Sequence, residues 1–252
     1  MELKDKKFVY HRALNSEAAF REFLEKSAAS KYTLAAEGDI CWIELDGKCI
    51  IYIHHPDAAG KPLSSTKIKE LLEKDALFTL EKLLTINATA HFVFELKTGE
   101  GDLSAFLLAF REILERFDVQ NAIVDAFSVE QLKALKRVMP ELKTSLHTKF
   151  LMGHYVLETT FEKPYVRAHN IYKMNYIDTF TISYKTTHVN LCNLDIDESY
   201  KHIYKAKKSL NLGAVKSMAA FERAVNSNAE YIYLRSSEVL EHYESYLEEC
   251  SH

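Results

Sequence analysis

Two carboxylates, Glu37 and Asp39, stand two residues apart in an apolar stretch over residues 34–55, LAAEGDICWIELDGKCIIYIHH, which ends in the histidine pair His54 and His55. Side chains alternate faces along a β-strand, so Glu37 and Asp39 point the same way. Two acids on one face of an apolar segment repel each other and lose hydration, which is costly unless a cation or hydrogen-bond donors compensate. A positive group is therefore expected between them. The segment HFVFELK at residues 91–97 repeats the pattern, with Glu95 and Lys97 two apart at the end of an apolar strand. Earlier, Phe8, Val9 and Tyr10 form a short strand that delivers His11 and Arg12 to its C-terminal end. Three carboxylates with open coordination suit a hard divalent cation, Mg²⁺ or Ca²⁺, which prefers oxygen ligands and keeps waters, whereas zinc would want more nitrogen or sulfur. Plainer readings stand beside these. A histidine ending a strand is often structural, and Glu95 with Lys97 makes a local ion pair. Glu44 and Asp46 form a competing E-x-D, but Asp46-Gly47 has turn chemistry and Glu44 is expected to face solvent.

These groups need rigid elements to bring them together. Asn15 or Ser16 caps a helix whose apolar stripe is Ala18, Ala19, Phe20, Phe23 and Leu24. The acid pair and the histidine pair lie on two strands turned at Asp46-Gly47. Beyond a polar segment to Ser65, SSTKIKELLEK and TLEKLLTI read as helices, residues 102–117 as a strongly amphipathic helix, NAIVDAF as a strand and SVEQLKALKRVMP as a capped helix ended by Pro140. SLHTKF and DTFTISYK read as strands on either side of an ambiguous stretch at 151–175. DESYKHIYKAKKSL reads as a helix, LGAVK as a strand, SMAAFERAVN as a helix, YIYLRS as a last strand and SEVLEHYESYLEE as the closing helix. This alternation amounts to about eight βα units, the pattern of a closed parallel (β/α)8 TIM barrel. One domain is expected over residues 1–252. A doubly wound open sheet is the alternative, but no G-x-G-x-x-G follows the first strand. Barrel enzymes place their active sites at the C-terminal ends of the strands, so the histidines and acids converge on one mouth.

Composition narrows the function classes. The 252 residues are 47% hydrophobic, which is ample for a packed core, and 32 basic against 36 acidic residues leave a net charge of -4. That balance argues against a nucleic-acid surface or a polybasic membrane binder, so any phosphate chemistry is local. Cys41, Cys49, Cys192 and Cys250 have no CxxC pairing and read as reduced thiols. The opening MELKDKKFVYHR lacks the apolar core of a signal peptide, and no run is long enough to cross a bilayer, so a cytoplasmic protein is expected.

The order of the motifs resembles the glycerophosphodiester phosphodiesterase and PLC-like phosphodiesterase superfamily. The matching features are H-R at the first strand end, E-x-D in the second strand, D-G before an apolar strand ending in histidine, and E-x-K in the fourth. IVDAFSVEQLKALKRVMPEL is similar to the family's fifth strand and following helix, and LGAVKSMAAFERAVNSNAEYIYL to its final βαβ segment, so the resemblance spans nearly the whole chain. It implies that Glu37, Asp39 and Glu95 are metal ligands, that His11 and His54 are the general acid/base pair, and that Lys97 and Arg12 neutralise the substrate phosphate. His55 stands where the family commonly has Asp, which leaves the choice between His54 and His55 open. There are further departures. The family's last-strand tryptophan is absent, Trp42 being the only tryptophan, YLRSS replaces the usual T-D-x-P, and the segment after His54 has no room for the usual small insertion domain.

The implied activity is metal-dependent hydrolysis of a glycerophosphodiester or related phospholipid head-group phosphodiester, with a small-molecule substrate and no nucleic-acid partner. One rival is a barrel of the same superfamily that keeps the acidic cluster but serves as a binding or scaffold protein. A weaker one is an aldolase-type barrel using Lys97 as a Schiff base.

Overall fold

Along β1 (Lys7–Tyr10), Phe8 is buried on one face and Val9 on the other. A strand buried on both faces belongs to a parallel sheet covered on both sides. The computed structural model describes residues 6–56, 61–97, 99–126, 128–147, 179–183, 209–215, 218–226, 229–235, 241–242 and 244–245. Its strands are β1, β2 (Thr33–Leu45), β3 (Lys48–Ile53), β4 (His91–Leu96), β5 (Ala122–Ala126), β6 (Lys143–His147), β7 (Thr179–Ser183), β8 (Ser209–Val215) and β9 (Tyr231–Leu234). They hydrogen-bond in the order β1-β9-β8-β7-β6-β5-β4-β2-β3, and β1 also pairs with β2. That last pairing closes the ring. Every pair around it is parallel, while β3 folds back antiparallel on the far half of β2. The chain is an α/β barrel with a hairpin projecting from its C-terminal mouth.

Helices α1 (Glu17–Ala29), α2 (Ser65–Glu73), α3 (Leu80–Ile86), α4 (Leu103–Arg116), α5 (Val129–Val138) and α6 (Met218–Val225) connect the strands, α2 and α3 both lying between β3 and β4. Ser16, Ser64, Thr79, Asp102 and Ser128 cap the first five by accepting a backbone N–H from the first turn. The hairpin turn uses Asp46 and Gly47, both at positive φ (51° and 74°), where asparagine, aspartate and glycine are tolerated best.

Side-chain alternation divides the apolar residues into two layers. Phe8, Leu34, Phe92, Phe94, Val124, Leu146 and Ile232 point outward and pack against Phe20, Phe106, Phe110, Leu132 and Phe221 of the helices. Their sequence neighbours Val9, Ala35, Val93, Ile123, Tyr231 and Tyr233 fill the barrel interior. Beyond Val9, Ala35, Val93 and Ile123, the next inward positions are His11, Glu37, Glu95 and Asp125, where the interior turns polar.

One expected element ends differently. Residues 197–210 read as a helix, yet Ser209 and Leu210 belong to β8, because SLNLGAV alternates polar and apolar residues and that period of two pairs with β7 and β9. Residues 197–208, and the ambiguous stretch at 151–175, lie outside the described residues.

The opposite, N-terminal end of the barrel is closed by charge. Glu230 accepts from Lys143 Nζ at 2.7 and 2.8 Å and from Lys7 Nζ at 3.2 Å, and both ammonium groups lie over the Tyr231 ring. A cavity of about 680 Å³ opens beside them, on the face where barrels keep stability rather than catalysis. Burial alone would raise the Glu230 carboxyl, but Lys143 and Lys7 outweigh it and hold its pKa below the ordinary 4.5. A depressed carboxylate stabilises the fold above its unfolded pKa and ceases to do so as pH falls through the folded value. Thermal midpoints are therefore expected to drop as pH falls below about 4.5, and Glu230→Gln to start lower at pH 7 but decline less steeply. Parallel melting curves for the two proteins from pH 7 to pH 3 would remove this network as the cause.

Candidate active site

The acidic groups meet because three adjacent strands run parallel in a fixed register. Asp39 of β2 lies opposite Glu95 of β4, and Glu95 lies opposite Asp125 of β5. Register partners share a face, so all three point into the barrel with Glu37, at the level where β2 leaves the ring to pair with β3. Lys97 follows β4, its backbone N–H donating to the Ile40 carbonyl at 3.0 Å. His11 and Arg12 follow β1, and His54 and His55 follow β3.

The turn after β1 is drawn tightly onto β2. Arg12 adopts a positive φ of 66°, an uncommon conformation for a residue with a Cβ. In that turn its backbone N–H donates to Glu37 Oε2 at 2.6 Å, and Leu14 N–H donates to the Glu37 carbonyl at 3.0 Å. Gly38 permits this approach, since a Cβ there would lie 2.4 Å from Leu14 Cβ. The glycine inside E-G-D thus seats the histidine-bearing turn. Gly38→Ala is expected to destabilise the fold by about 1–3 kcal/mol through overpacking and to pull His11 away from Glu37. An unchanged urea midpoint would refute that account.

Glu37, Asp39 and Glu95 each offer an oxygen, and the three oxygens lie within 4.8 Å of one another. A shared Ca²⁺ with oxygens at about 2.4 Å allows ligand separations up to roughly 4.8 Å, so the donor set fits a hard divalent cation. Glu37 supplies a second indication. Its carboxyl is buried, and Oε1 has no hydrogen-bond partner among the described residues. Burial first, and then the neighbouring Asp39 charge, push its pKa well above the usual carboxylate range, against the pull of the Arg12 N–H and Lys97. A buried acid held in that state is short of positive charge.

The expected positive group is present, although not between Glu37 and Asp39. Lys97 Nζ sits 3.0 Å from Asp39 Oδ1 and pairs with Glu95 Oε1. On the other side, His55 Nδ1 is 3.2 Å from Asp39 Oδ2, and His11 Nδ1 is 3.5 Å from Glu37 Oε2. Burial, reinforced by the Arg12 charge, lowers the His11 pKa to about 4, with Asp39 opposing. His54 lies one step beyond the Ile40–Ile53 pair, opposite Asp39, whose carbonyl accepts its backbone N–H at 3.0 Å. The backbone of His54 is thus tied to that of Asp39, while the imidazole in contact with the Asp39 carboxylate is that of His55. Arg12 is exposed beside the mouth, and so is Glu44, away from the cluster. Among the described cysteines, burial pushes Cys41 up to about 12 and Cys49 up to about 11, which removes both as thiolate nucleophiles.

Asp125 belongs to the same interior layer, although no spaced motif marks it in the sequence. Its carboxylate is buried, accepts the Tyr233 hydroxyl at 3.4 Å and adds to the field that raises Glu37. The available signal was a lone acid inside a five-residue apolar strand, AIVDA.

No protein-family model matches the chain, and no curated protein matches it in sequence. Solved structures do match. A glycerophosphodiester phosphodiesterase from Parabacteroides distasonis superposes with a TM-score of 0.67 at 17% identity, over 97% of this chain and 99% of that one. One from Thermotoga maritima gives 0.60 at 15% identity, over 92% and 96%. An Oleispira antarctica phosphodiesterase in complex with its product sn-glycerol-3-phosphate gives 0.64 at 13% identity, over 94% and 96%. The likeness shows that the chain shares the β/α-barrel fold of these structures. Among the described residues no helix is long and apolar enough to cross a membrane.

Proposed function

We propose that this chain is a divalent-metal-dependent phosphodiesterase that hydrolyses a glycerophosphodiester or a related phospholipid head-group phosphodiester. The observation that carries the reading is the buried Glu37 carboxyl, with Oε1 unpartnered, in a set of three carboxylates close enough to share one cation. The end-to-end barrel likeness to glycerophosphodiester phosphodiesterases supports it, as does the product complex of the Oleispira antarctica protein.

Glu37, Asp39 and Glu95 hold the cation in this reading, which supplies charge stabilisation to a non-bridging phosphoryl oxygen. His11 and a histidine of the His54/His55 pair carry the protons. One takes the proton of the attacking water or substrate hydroxyl, and the other delivers a proton to the departing alkoxide. Glu37 faces His11 at 3.5 Å and Asp39 faces His55 at 3.2 Å, so each side of the site has an imidazole held by a carboxylate. His54 keeps its role by position in the sequence, and His55 enters by its contact. Arg12 and Lys97 supply positive charge to the substrate phosphate. The Schiff-base alternative is disfavoured, because the Lys97 ammonium is engaged by two carboxylates, Asp39 and Glu95.

The test is hydrolysis of bis(p-nitrophenyl) phosphate and glycerophosphocholine by purified protein with Mg²⁺, Ca²⁺ or EDTA. Metal-dependent release of p-nitrophenol or choline is expected. Binding of the cation without turnover of either compound would favour the binding-protein reading, which the YLRSS sequence in place of T-D-x-P after β9 makes the natural second choice.

A further inference from the structure

We propose that Lys97 occupies, as an ammonium, part of the seat that the divalent cation takes, so that cation entry and release of Lys97 towards the substrate phosphate are a single exchange. This rests on the reading of Glu37, Asp39 and Glu95 as the cation's ligands. Lys97 Nζ lies 3.0 Å from Asp39 Oδ1 and is paired with Glu95 Oε1, so it engages two of the three carboxylates. Among the described residues the third, Glu37, has the Arg12 N–H and His11 against Oε2, and its Oε1 meets no hydrogen-bond partner. The lysine neutralises part of the cluster and leaves the rest short of positive charge.

An ammonium and a divalent cation cannot share Asp39 and Glu95 at close range, because their mutual repulsion acts in a site shielded from water, where it is little screened. The lysine is built to move. Its backbone is anchored by the hydrogen bond to Ile40 at the end of the β2–β4 ladder, while its charge rides on a flexible four-carbon stem. Its side chain is 17% exposed, at the mouth rather than beneath it. Once a cation satisfies the carboxylates, the ammonium gives up Asp39 and Glu95, and a phosphodiester at the mouth offers it a new anionic partner. Without a divalent cation Lys97 is tied to carboxylates and does not serve an anion. Lys97 therefore weakens cation binding and makes phosphate capture depend on it, which orders the two events.

The test is calorimetric titration of CaCl₂ into the wild-type protein, Lys97→Met and Lys97→Arg, with lysine labelling of the wild type as an independent arm. Removing the competitor is expected to tighten Ca²⁺ binding about tenfold or more in Lys97→Met, and Lys97→Arg, which keeps a cation, to stay near the wild type. Reductive methylation followed by peptide mapping should label Lys97 slowly in EDTA and several-fold faster with Ca²⁺. This arm needs no variant and stands even where Lys97→Met folds poorly. Equal or weaker Ca²⁺ binding by folded Lys97→Met, or labelling of Lys97 that ignores Ca²⁺, overturns the exchange while leaving the cation site intact if the wild type binds Ca²⁺. Ca²⁺ binding by Lys97→Met alone supports the exchange in its strongest form. Silence from all three proteins takes down the cation site and the exchange together.

Discussion

Glu37→Gln is expected to lose divalent-cation binding and to lower phosphodiester turnover by about 10³-fold or more, roughly 4 kcal/mol of transition-state stabilisation. Glutamine keeps the shape of the side chain and an oxygen for the Arg12 N–H, which donates at 2.6 Å, but it removes a charge from a site with Asp39 alongside. In EDTA the variant should therefore melt at the wild-type temperature or above, since an uncompensated buried charge has gone. Ca²⁺ should raise the melting temperature of the wild type and leave that of Glu37→Gln unmoved. This combination separates a ligand from a structural acid. If Glu37→Gln melts well below the wild type in EDTA, the acid pair is a structural element and the cation reading fails at its strongest point.

His11→Ala is expected to lower kcat by about 10²–10⁴-fold, the usual worth of a positioned proton-transfer group, while Ca²⁺ binding stays within a few-fold of the wild type. His11 Nδ1 lies 3.5 Å from Glu37 Oε2 and is not a member of the three-carboxylate group proposed to hold the cation. Comparing leaving groups assigns its step. An equal loss with bis(p-nitrophenyl) phosphate and glycerophosphocholine means that His11 activates the nucleophile, because p-nitrophenolate leaves without help. A much larger loss with glycerophosphocholine means that it protonates the departing alkoxide. A kcat within threefold of the wild type on both would strike His11 from the mechanism. The same pair of substrates with His54→Ala and His55→Ala decides which histidine of that pair works beside it.

Local chemistry explains which features could be read in advance. Asp46-Gly47 implies a hairpin because those residues tolerate positive φ, and the structure turns there at 51° and 74°. The alternation of β-branched runs with amphipathic helices implies a parallel barrel, since parallel strands need helical crossovers and two covered faces. Glu37 and Asp39 had to share a face by the period of two. Where local patterns conflict, tertiary pairing decides. The end of DESYKHIYKAKKSL has a helical composition, yet Ser209 and Leu210 extend β8, whose pairing with β7 and β9 outweighs propensity.

Sequence alone determined the residue types at the barrel mouth, their two-residue spacing, and hence the demand that buried acids make for positive charge. Only the tertiary structure decided how that demand is distributed. Lys97 lies against Asp39 and Glu95 rather than between Glu37 and Asp39, because β4 pairs with β2 in the register that sets Asp39 opposite Glu95. Asp125 joins the layer through the next register step, which no motif encodes. His55 reaches Asp39 Oδ2 while His54 lies opposite Asp39 on the hairpin, a difference of one residue that depends on where β3 ends. Spacing along a strand is a property of the chain, whereas register between strands is settled by the closure of the whole barrel.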